Sequence, residues 1–281
     1  MFPGARLIDL YFELMQLGLA GRTAVVTGGS KGIGKSIAQG LATEGVNVVL
    51  LARGADALNH AADEIRGRSQ AGVLAVPTDM KSSDAVQAAI DSAAAKFGKI
   101  HILVNNAGSA IRRTDRQITW TDAEWMDDIN GKMMGALRAV QSCLPHFPRD
   151  GSGRIINISG IAGISVLGPA MTHGFNNSAM THVTKYLARD LSADLITVNS
   201  VIPGLIATEW RETWAETTGA QEGKTKDQFL DETCKRLGIL SGRWGSMEEV
   251  ADTVVFLASD RARYVNGAQI AVDGGYSVNA R

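Results

Sequence analysis

The chain has 281 residues, of which 45% are hydrophobic and 20% charged, and these proportions predict one or at most two globular domains rather than a disordered polypeptide. Its 28 Lys and Arg against 29 Asp and Glu give a formal net charge of −1, which argues against a nucleic-acid partner. No apolar stretch approaches the roughly 20 residues that cross a bilayer, so we expect no membrane span.

The two cysteines and the N-terminus bear on where the protein works. Cys143 and Cys234 are too few for a disulfide framework and show no metal-ligand spacing, so we expect a cytoplasmic protein without a metal site. The N-terminus lacks the pattern of a secretory signal. Residues 1–20 are predicted to be an N-terminal extension, in which 1–14 form an added helix; the alternative is that Met15 is the biological start.

Apolar, β-rich runs alternate along the chain with longer segments of helical period, which is typical of repeated βα units around a buried parallel sheet. Strands are predicted over 23–27, 46–51, 73–76, 100–105, 154–159, 196–201 and 269–272, and helices over 33–43, 84–96, 123–147, 179–191 and 247–258. The predicted fold class is therefore α/β: a single doubly wound domain over 21–281 with a seven-stranded parallel sheet, helices on both faces and a variable insertion at about 205–242.

A glycine-rich turn follows the first predicted strand and opens the first helix. Glycines let the backbone turn sharply and approach a pyrophosphate, and the helix N-terminus offers free N–H groups and the positive end of a dipole. The context favours a Rossmann-type dinucleotide site over a glycine turn without a ligand. The candidate cofactor-binding residues of this turn are Gly28, Ser30, Lys31, Gly32, Ile33 and Gly34.

The end of the second predicted strand bears on which nucleotide binds. Ala52 stands where an NAD-selective site usually places an acid against the ribose hydroxyls. Arg53 follows it and Lys31 lies inside the glycine turn, so two cations can converge on a 2′-phosphate. The sequence therefore favours NADP(H) over NAD(H); the alternative is two solvated surface cations.

Further motifs in the same order extend this pattern over most of the chain. They are the TGxxxGxG turn at 27–34, Asp79 after the third strand, Asn105-Asn106-Ala107-Gly108, Asn130, the strand GRIINIS, Pro203-Gly204 with Thr208, and Val272-Asp273-Gly274-Gly275. On these motifs the chain, from about Met15 to Arg281, resembles the classical short-chain dehydrogenases/reductases.

The resemblance implies more of the cofactor site and an assembly. The additional cofactor residues it implies are Asp79, Met80, Asn106, Ala107, Gly108, Pro203, Gly204, Ile206 and Thr208. The first two would contact adenine, the next three would line the cofactor cleft, and the last two would hold the nicotinamide carboxamide. It also implies a homo-oligomer, a tetramer or dimer, formed through helices at about 123–147 and 173–191 and the C-terminal strand.

The family's chemistry rests on an Asn, a Ser, a Tyr thirteen residues after the Ser, and a Lys four residues after the Tyr. In this sequence Asn130 takes the Asn position because it lies 22 residues after the glycine of the NNAG motif. His173 takes the Tyr position because Asn199 follows it by 26 residues, and Gly160 and Asn177 then take the Ser and Lys positions. A register shifted to Tyr186 puts an aspartate in the Lys position and is rejected. The catalytic candidates are therefore His173, Asn130 and Asn177.

The replacements are chemically coherent. A phenol with a reference pKa of about 10 needs a nearby ammonium before it exchanges a proton near neutral pH, whereas an imidazole with a reference pKa of about 6.5 does not. We therefore expect His173 to replace the tyrosine as acid/base, and Asn177 to hydrogen-bond the nicotinamide ribose or a water near Asn130. Gly160 leaves space for a bulkier substrate. The alternative is that His173 is an ordinary histidine without a role.

The predicted insertion is where this family usually carries a substrate lid. Trp210 and Trp214 are four residues apart, so on a helix they would share a face that could close over an apolar or aromatic substrate; packing of the lid onto its own domain is the alternative. Arg112, Arg113 and Arg116 could meet an anionic substrate at the opposite rim, or simply be solvated.

Three functions stay open on the sequence. The preferred one is an NADP(H)-dependent oxidoreductase that acts on a carbonyl, a hydroxyl or another polarised double bond of a small molecule, with His173 as proton donor. The second is a redox-neutral lyase, isomerase or hydrolase on the same scaffold. The third is a catalytically silent NADP(H)-binding subunit, whose role would survive His173→Ala.

Overall fold

A computed structural model of the protein describes residues 16–108, 117–166 and 171–279. Within these ranges the strands are β1 (Thr23–Thr27), β2 (Asn47–Ala52), β3 (Val73–Pro77), β4 (Ile102–Asn105), β5 (Arg154–Ile158), β6 (Thr197–Pro203) and β7 (Gln269–Val272). All pair in parallel, in the order β3-β2-β1-β4-β5-β6-β7. Their bounds lie within two residues of the sequence-based prediction.

Helices connect the strands. Those in the described ranges are α1 (Gly32–Thr43), α2 (Ala55–Arg66), α3 (Ser83–Phe97), α4 (Asp122–Ile129), α5 (Gly135–Cys143), α6 (Met171–Asp190), α7 (Glu209–Gln221), α8 (Lys226–Leu237), α9 (Met247–Ala258) and α10 (Tyr276–Asn279). A π-helix over Asn130–Met134 joins α4 to α5. No helix among the described residues is both long and apolar enough to span a bilayer.

Alternating side chains of the central strands fill one core on each face of the sheet. Val26 and Leu50 face the side covered by α1, α2 and α9, whereas Val25 and Leu51 face the side covered by α3, α5 and α6. All four side chains are fully buried. Such two-sided burial explains why these strands read as continuous apolar runs, and the predicted doubly wound α/β fold is confirmed.

Two helices differ from the prediction, and both differences shape the functional site. The single helix expected over 123–147 is divided into α4, the π-helix, α5 and a 3₁₀ turn at Leu144–His146. The helix expected from 179 begins at Met171, so it includes His173 and Asn177 in its first two turns.

The predicted insertion at 205–242 consists largely of α7 and α8, which pack against each other. Trp214 of α7 lies edge-on to Phe229 of α8, with ring centroids 5.2 Å apart, and stacks on Trp244 at 6.3 Å. The added helix expected over 1–14 and the alternative start at Met15 lie outside the described residues.

Candidate active site

The glycine turn after β1 is built so that only glycine fits at its two ends. A Cβ at Gly34 would stand 2.3 Å from the carbonyl oxygen of Gly28, and Gly28 itself has a positive φ of 69°. The turn leads directly into the N-terminus of α1, whose first residue, Gly32, also has a positive φ of 57°. The backbone N–H groups of this helix start therefore meet the carboxyl end of the sheet, where parallel α/β folds bind ligands.

Two exposed cations flank this turn. Lys31 is the N-cap residue of α1, and Arg53 follows Ala52 at the end of β2. Within the described ranges neither side chain has an ion-pair partner. Both are therefore available to an anionic group that extends past the glycine turn along the end of β2.

The NNAG motif after β4 is hydrogen-bonded to the glycine turn. Thr27 Oγ1 accepts hydrogen bonds from the backbone N–H groups of Asn106 and Ala107, both at 2.9 Å. Asn106 Nδ2 donates to the carbonyl oxygens of Thr27 at 3.0 Å and Gly28 at 3.2 Å. These bonds hold the ends of β1 and β4 as two walls of one cleft.

The remaining predicted cofactor residues lie at the ends of β3 and β6. Asp79 is exposed and accepts a hydrogen bond from the backbone N–H of Lys81, and Met80 is buried. Thr208 is the N-cap residue of α7 and comes near the glycine turn, since its Cγ2 lies 3.8 Å from the position of a Cβ on Gly32. Ile206, two residues earlier, is buried and bridges to Gly245.

A line of buried amide and hydroxyl groups connects the two central strand ends to α6. Asn105 Nδ2 of β4 donates to Asn157 Oδ1 of β5 at 2.9 Å, and Asn157 Nδ2 donates to Thr184 Oγ1 of α6 at 2.9 Å. All three side chains are at most 3% exposed. Buried polar groups with several partners in series fix side-chain positions, so α6 is held in register with the sheet.

The first turns of α6 carry His173 and Asn177 on one helix face, because they are four residues apart. The local sequence HGFNN contains poor helix formers, and contacts from other elements hold it. Gln117 Oε1 accepts a hydrogen bond from the backbone N–H of Thr172 at 3.0 Å, and Asp128 Oδ2 accepts one from Asn176 Nδ2 at 2.8 Å.

Asn177 lies at the centre of a buried cluster that the sequence analysis did not anticipate. Lys132 of the π-helix donates a hydrogen bond from Nζ to Asn177 Oδ1 at 2.5 Å, and the lysine is only 6% exposed. Asn177 Nδ2 is buried and has no hydrogen-bond partner among the described residues. That amide nitrogen lies 3.0 Å from the position of a Cβ on Gly160, which is closer than a Cβ normally packs, so the Asn177 side chain takes up the space that the glycine was expected to leave for a bulkier substrate.

Asn130, by contrast, is not placed at this cluster. Its Oδ1 accepts a hydrogen bond from Arg138 Nη2 at 2.6 Å, and its carbonyl oxygen accepts one from Arg138 Nη1 at 3.2 Å. The residue of this helical segment that reaches Asn177 is Lys132, two positions later. Counting residues from the NNAG glycine thus selects a side chain that is bonded to Arg138 of α5, and the catalytic role expected for Asn130 stays a prediction.

The electrostatics of the cluster also differ from the expectation for His173. Burial, together with the cations Lys132 and Arg211, lowers the pKa of His173 to about 3, so the imidazole is neutral at pH 7. Burial also lowers the pKa of Lys132 to about 8, although the carboxylate of Asp128 acts in the opposite direction. The expectation of a histidine poised near its ordinary pKa therefore does not hold in this cleft.

Other side chains singled out by the sequence contribute differently. Trp214 packs between α7 and α8, as in the alternative interpretation, whereas Trp210 is 48% exposed. Helix α7 also brings Arg211 near His173 and over the ring of Trp244, with 5.8 Å from Cζ to the ring centroid. The three arginines expected at the opposite rim, Arg112, Arg113 and Arg116, lie outside the described residues.

Comparisons with known proteins show similarity in sequence and in fold. A family model described as enoyl-(acyl carrier protein) reductase matches residues 28–277. The chain is 35% identical over 256 residues to the 3-oxoacyl-[acyl-carrier-protein] reductase FabG of Staphylococcus aureus, covering 90% of this chain and 97% of that protein. It is 34% identical over 255 residues to the short-chain reductase protein NovJ of Streptomyces niveus, covering 90% of this chain and 92% of that protein.

A solved structure shares the fold over almost the full length. It is L-sorbose reductase from Gluconobacter frateurii, determined in complex with NADPH and L-sorbose. The TM-score is 0.87 with 32% sequence identity, and the match covers 94% of this chain and 99% of that one.

Proposed function

The chain belongs to the short-chain dehydrogenase/reductase family and is an oxidoreductase of that family, and on this premise we propose that it is an NADP(H)-dependent carbonyl reductase or alcohol dehydrogenase. The observation that carries the nucleotide proposal is the exposed pair Lys31 and Arg53 beside the glycine turn, with Ala52 in the place of an acid. The similarity to an L-sorbose reductase determined with NADPH supports it.

The residues of the cleft fit such a nucleotide. The tight glycine turn at Gly28 and Gly34 leaves the backbone open to a pyrophosphate. Lys31 and Arg53 would pair with a 2′-phosphate, which an acidic side chain at 52 would repel. The unused donor Asn177 Nδ2, buried beside Gly160, would serve a ribose hydroxyl or a substrate oxygen. When bound, the nicotinamide supplies the hydride.

His173 occupies the tyrosine's place in the family pattern, and we place it against the substrate oxygen. A neutral imidazole can donate a hydrogen bond to a carbonyl oxygen or accept one from an alcohol. Its acid/base role in the reaction requires the imidazolium, which burial and two cations oppose in the nucleotide-free cleft. The role we assign to His173 is therefore to orient and polarise the substrate oxygen by hydrogen bonding.

A pair of fluorescence titrations tests the nucleotide proposal. NADPH and NADH are each added to the wild type, to Arg53→Ala and to Arg68→Ala, which removes an exposed cation beyond the C-terminal end of α2. We expect the wild type to bind NADPH more tightly than NADH, and Arg53→Ala to weaken NADPH binding by about tenfold while NADH binding changes little. The control variant Arg68→Ala should bind both nucleotides with the affinity of the wild type.

A screen for turnover completes the test. Absorbance of the reduced nicotinamide is followed with ketoses, cyclic diketones and aromatic ketones. Oxidation of NADPH that depends on the carbonyl compound supports an oxidoreductase. If neither nucleotide binds the wild type, the proposal fails at its first step, and redox-neutral chemistry or a silent subunit would have to be considered instead.

The assembly and location are proposed on more limited grounds. Met126, Met134, Phe175 and Tyr186 are large exposed side chains on α4, the π-helix and α6, the helices through which relatives are expected to pair. We propose a homo-oligomer that uses this surface, in the cytosol, with the segment at about 205–242 as a lid over the cleft. Light scattering that finds a monomer at micromolar concentration would contradict the assembly.

A further inference from the structure

The family's catalytic set contains one asparagine and one lysine, and this chain has both residue types in contact at the corresponding place. Asn177 stands on α6, where the family's lysine is expected. Lys132 reaches it from the π-helix, the segment expected to supply the asparagine. At this contact the asparagine is therefore on α6 and the ammonium group is on the π-helix, which is the reverse of the arrangement that the family pattern predicts.

The surroundings of Lys132 place its ammonium inside the cleft. The side chain lies along the NNAG turn, since its Cδ is 3.2 Å from the position of a Cβ on Gly108. Its Nζ ends on Asn177, one helical turn from His173 and beside Gly160. The lysine is thus directed from the end of β4 toward the end of β5, where a substrate carbonyl beside the nicotinamide would lie.

The charged groups around this lysine come from each helix that packs against it. Asp128 of α4 favours its protonated form, and His173 of α6 has a pKa lowered first by burial and then by the charge of Lys132. Arg211 of α7 acts on the same histidine, and Lys81 lies on the far side of the π-helix, paired with Asp127. Among these described groups, Lys132 combines burial, a place in the cleft and a proton that it can release near neutral pH.

We propose that Lys132 is the catalytic lysine of this site and the group that exchanges a proton with the substrate oxygen. The inference rests on the proposed reductase function. In the reduction, the carbonyl carbon receives the hydride of NADPH, and the carbonyl oxygen receives a proton from the Lys132 ammonium. The products are the alcohol, NADP⁺ and the neutral amine, which regains its proton from water. Oxidation of an alcohol runs the same steps in reverse.

The pKa of Lys132 near 8 supports this assignment, because a general acid works best when its pKa lies near the working pH. An unperturbed lysine would hold its proton too tightly for the reverse step. The contact with Asn177 uses one of the three ammonium hydrogens, so others are available to a substrate.

The decisive experiment uses Lys132→Met, the exchange variant Lys132→Asn with Asn177→Lys, and the control Lys185→Met on the exposed face of α6. Methionine keeps the length of the buried chain. We expect kcat for carbonyl reduction to fall by about a hundredfold or more in Lys132→Met. The dissociation constant for NADPH should change by less than about threefold, because the phosphate contacts are intact.

The exchange variant returns the ammonium to α6 and tests whether its position, and not the helix that carries it, matters. We expect kcat of the exchange variant to be at least about tenfold higher than kcat of Lys132→Asn alone. The reduction rate of the wild type should decline above a pH of about 8 as the ammonium titrates, and this decline should be absent in Lys132→Met.

The outcomes separate the two proposals. A wild type that oxidises NADPH with none of the carbonyl compounds overturns both. An active wild type whose kcat and pH profile are matched by Lys132→Met overturns the inference and leaves the reductase proposal standing. The free energy of unfolding of the same variants, measured without nucleotide, is an independent test. If Lys132→Met leaves its pH dependence unchanged, the ammonium is not buried and the inference is refuted.

Discussion

The buried ammonium of Lys132 makes the stability of the protein depend on pH in a way that needs no nucleotide to measure. The side chain is 6% exposed, and burial lowers its pKa from an ordinary 10.5 to about 8. In the unfolded chain the ordinary value returns. Because one pKa unit corresponds to about 1.4 kcal/mol, the full shift corresponds to about 3 kcal/mol.

The direction follows from proton binding. Between a pH of about 8 and about 10.5 the unfolded chain still holds the lysine proton while the folded chain has released it, so the free energy of unfolding rises with pH. Below the folded pKa both states are protonated, and the full cost of the buried charge is present. We expect this residue to add about 2.5 kcal/mol to the free energy of unfolding between pH 7 and pH 10.

The assay is urea unfolding of wild type, Lys132→Met and Lys185→Met at one protein concentration, at both pH values. Other lysines, cysteines and tyrosines titrate in this range, and subtraction of the Lys132→Met curve removes their contribution. The control variant should keep the wild-type pH dependence because its lysine is exposed. The reasoning is refuted if the free energy of unfolding changes between pH 7 and pH 10 by the same amount, to within about 0.5 kcal/mol, in wild type and in Lys132→Met.

Three further substitutions test the surrounding structure. Gly34→Ala should abolish nucleotide binding in a fluorescence titration and lower the free energy of unfolding by about 2 kcal/mol, because the new Cβ would meet the Gly28 carbonyl oxygen at 2.3 Å. Arg154→Met should lower the free energy of unfolding, measured with urea, by about 3 kcal/mol, since the arginine is 1% exposed and donates to three backbone carbonyl groups. Trp214→Ala should lower the free energy of unfolding by about 2 kcal/mol because it loses the contact with Trp244. An unchanged free energy of unfolding would contradict a stabilising role for this stacked pair.

The sheet and the nucleotide turn could be predicted because their determinants are local. A strand buried on both faces needs an apolar run, and a turn against a pyrophosphate needs glycine at fixed positions. Both requirements appear in consecutive residues: the apolar run at 48–51 and the glycine turn at 27–34. The bounds of the seven described strands therefore needed only small adjustments.

The start of α6 could not be predicted in the same way. Gly174, Asn176 and Asn177 disfavour a helix locally, and this delayed the predicted start to 179. The helix begins at Met171 because Gln117 and Asp128, distant in sequence, hydrogen-bond to its first turns. Tertiary contacts overrode local propensity at the place where the site residues lie.

Lys132 was missed for a related reason. Most lysines are solvated, and nothing adjacent to this one in the sequence predicts burial. The π-helix turns its side chain toward α6. Counting from Gly108 selects Asn130, and a lysine two residues later makes the contact with Asn177.

The exchanged pair changes what each group can do at neutral pH. An ammonium beside a phenol lowers the phenol's pKa toward neutrality, whereas an ammonium beside an imidazole removes the proton from the imidazole. The sequence showed no lysine at position 177 and so left His173 without that cation, but Lys132 returns the cation from the opposite helix. Burial, reinforced by this cation, lowers the pKa of His173 to about 3, so at pH 7 the proton resides on Lys132 and not on His173. A reaction here that needs a proton draws it from the lysine, and His173 contributes by hydrogen bonding.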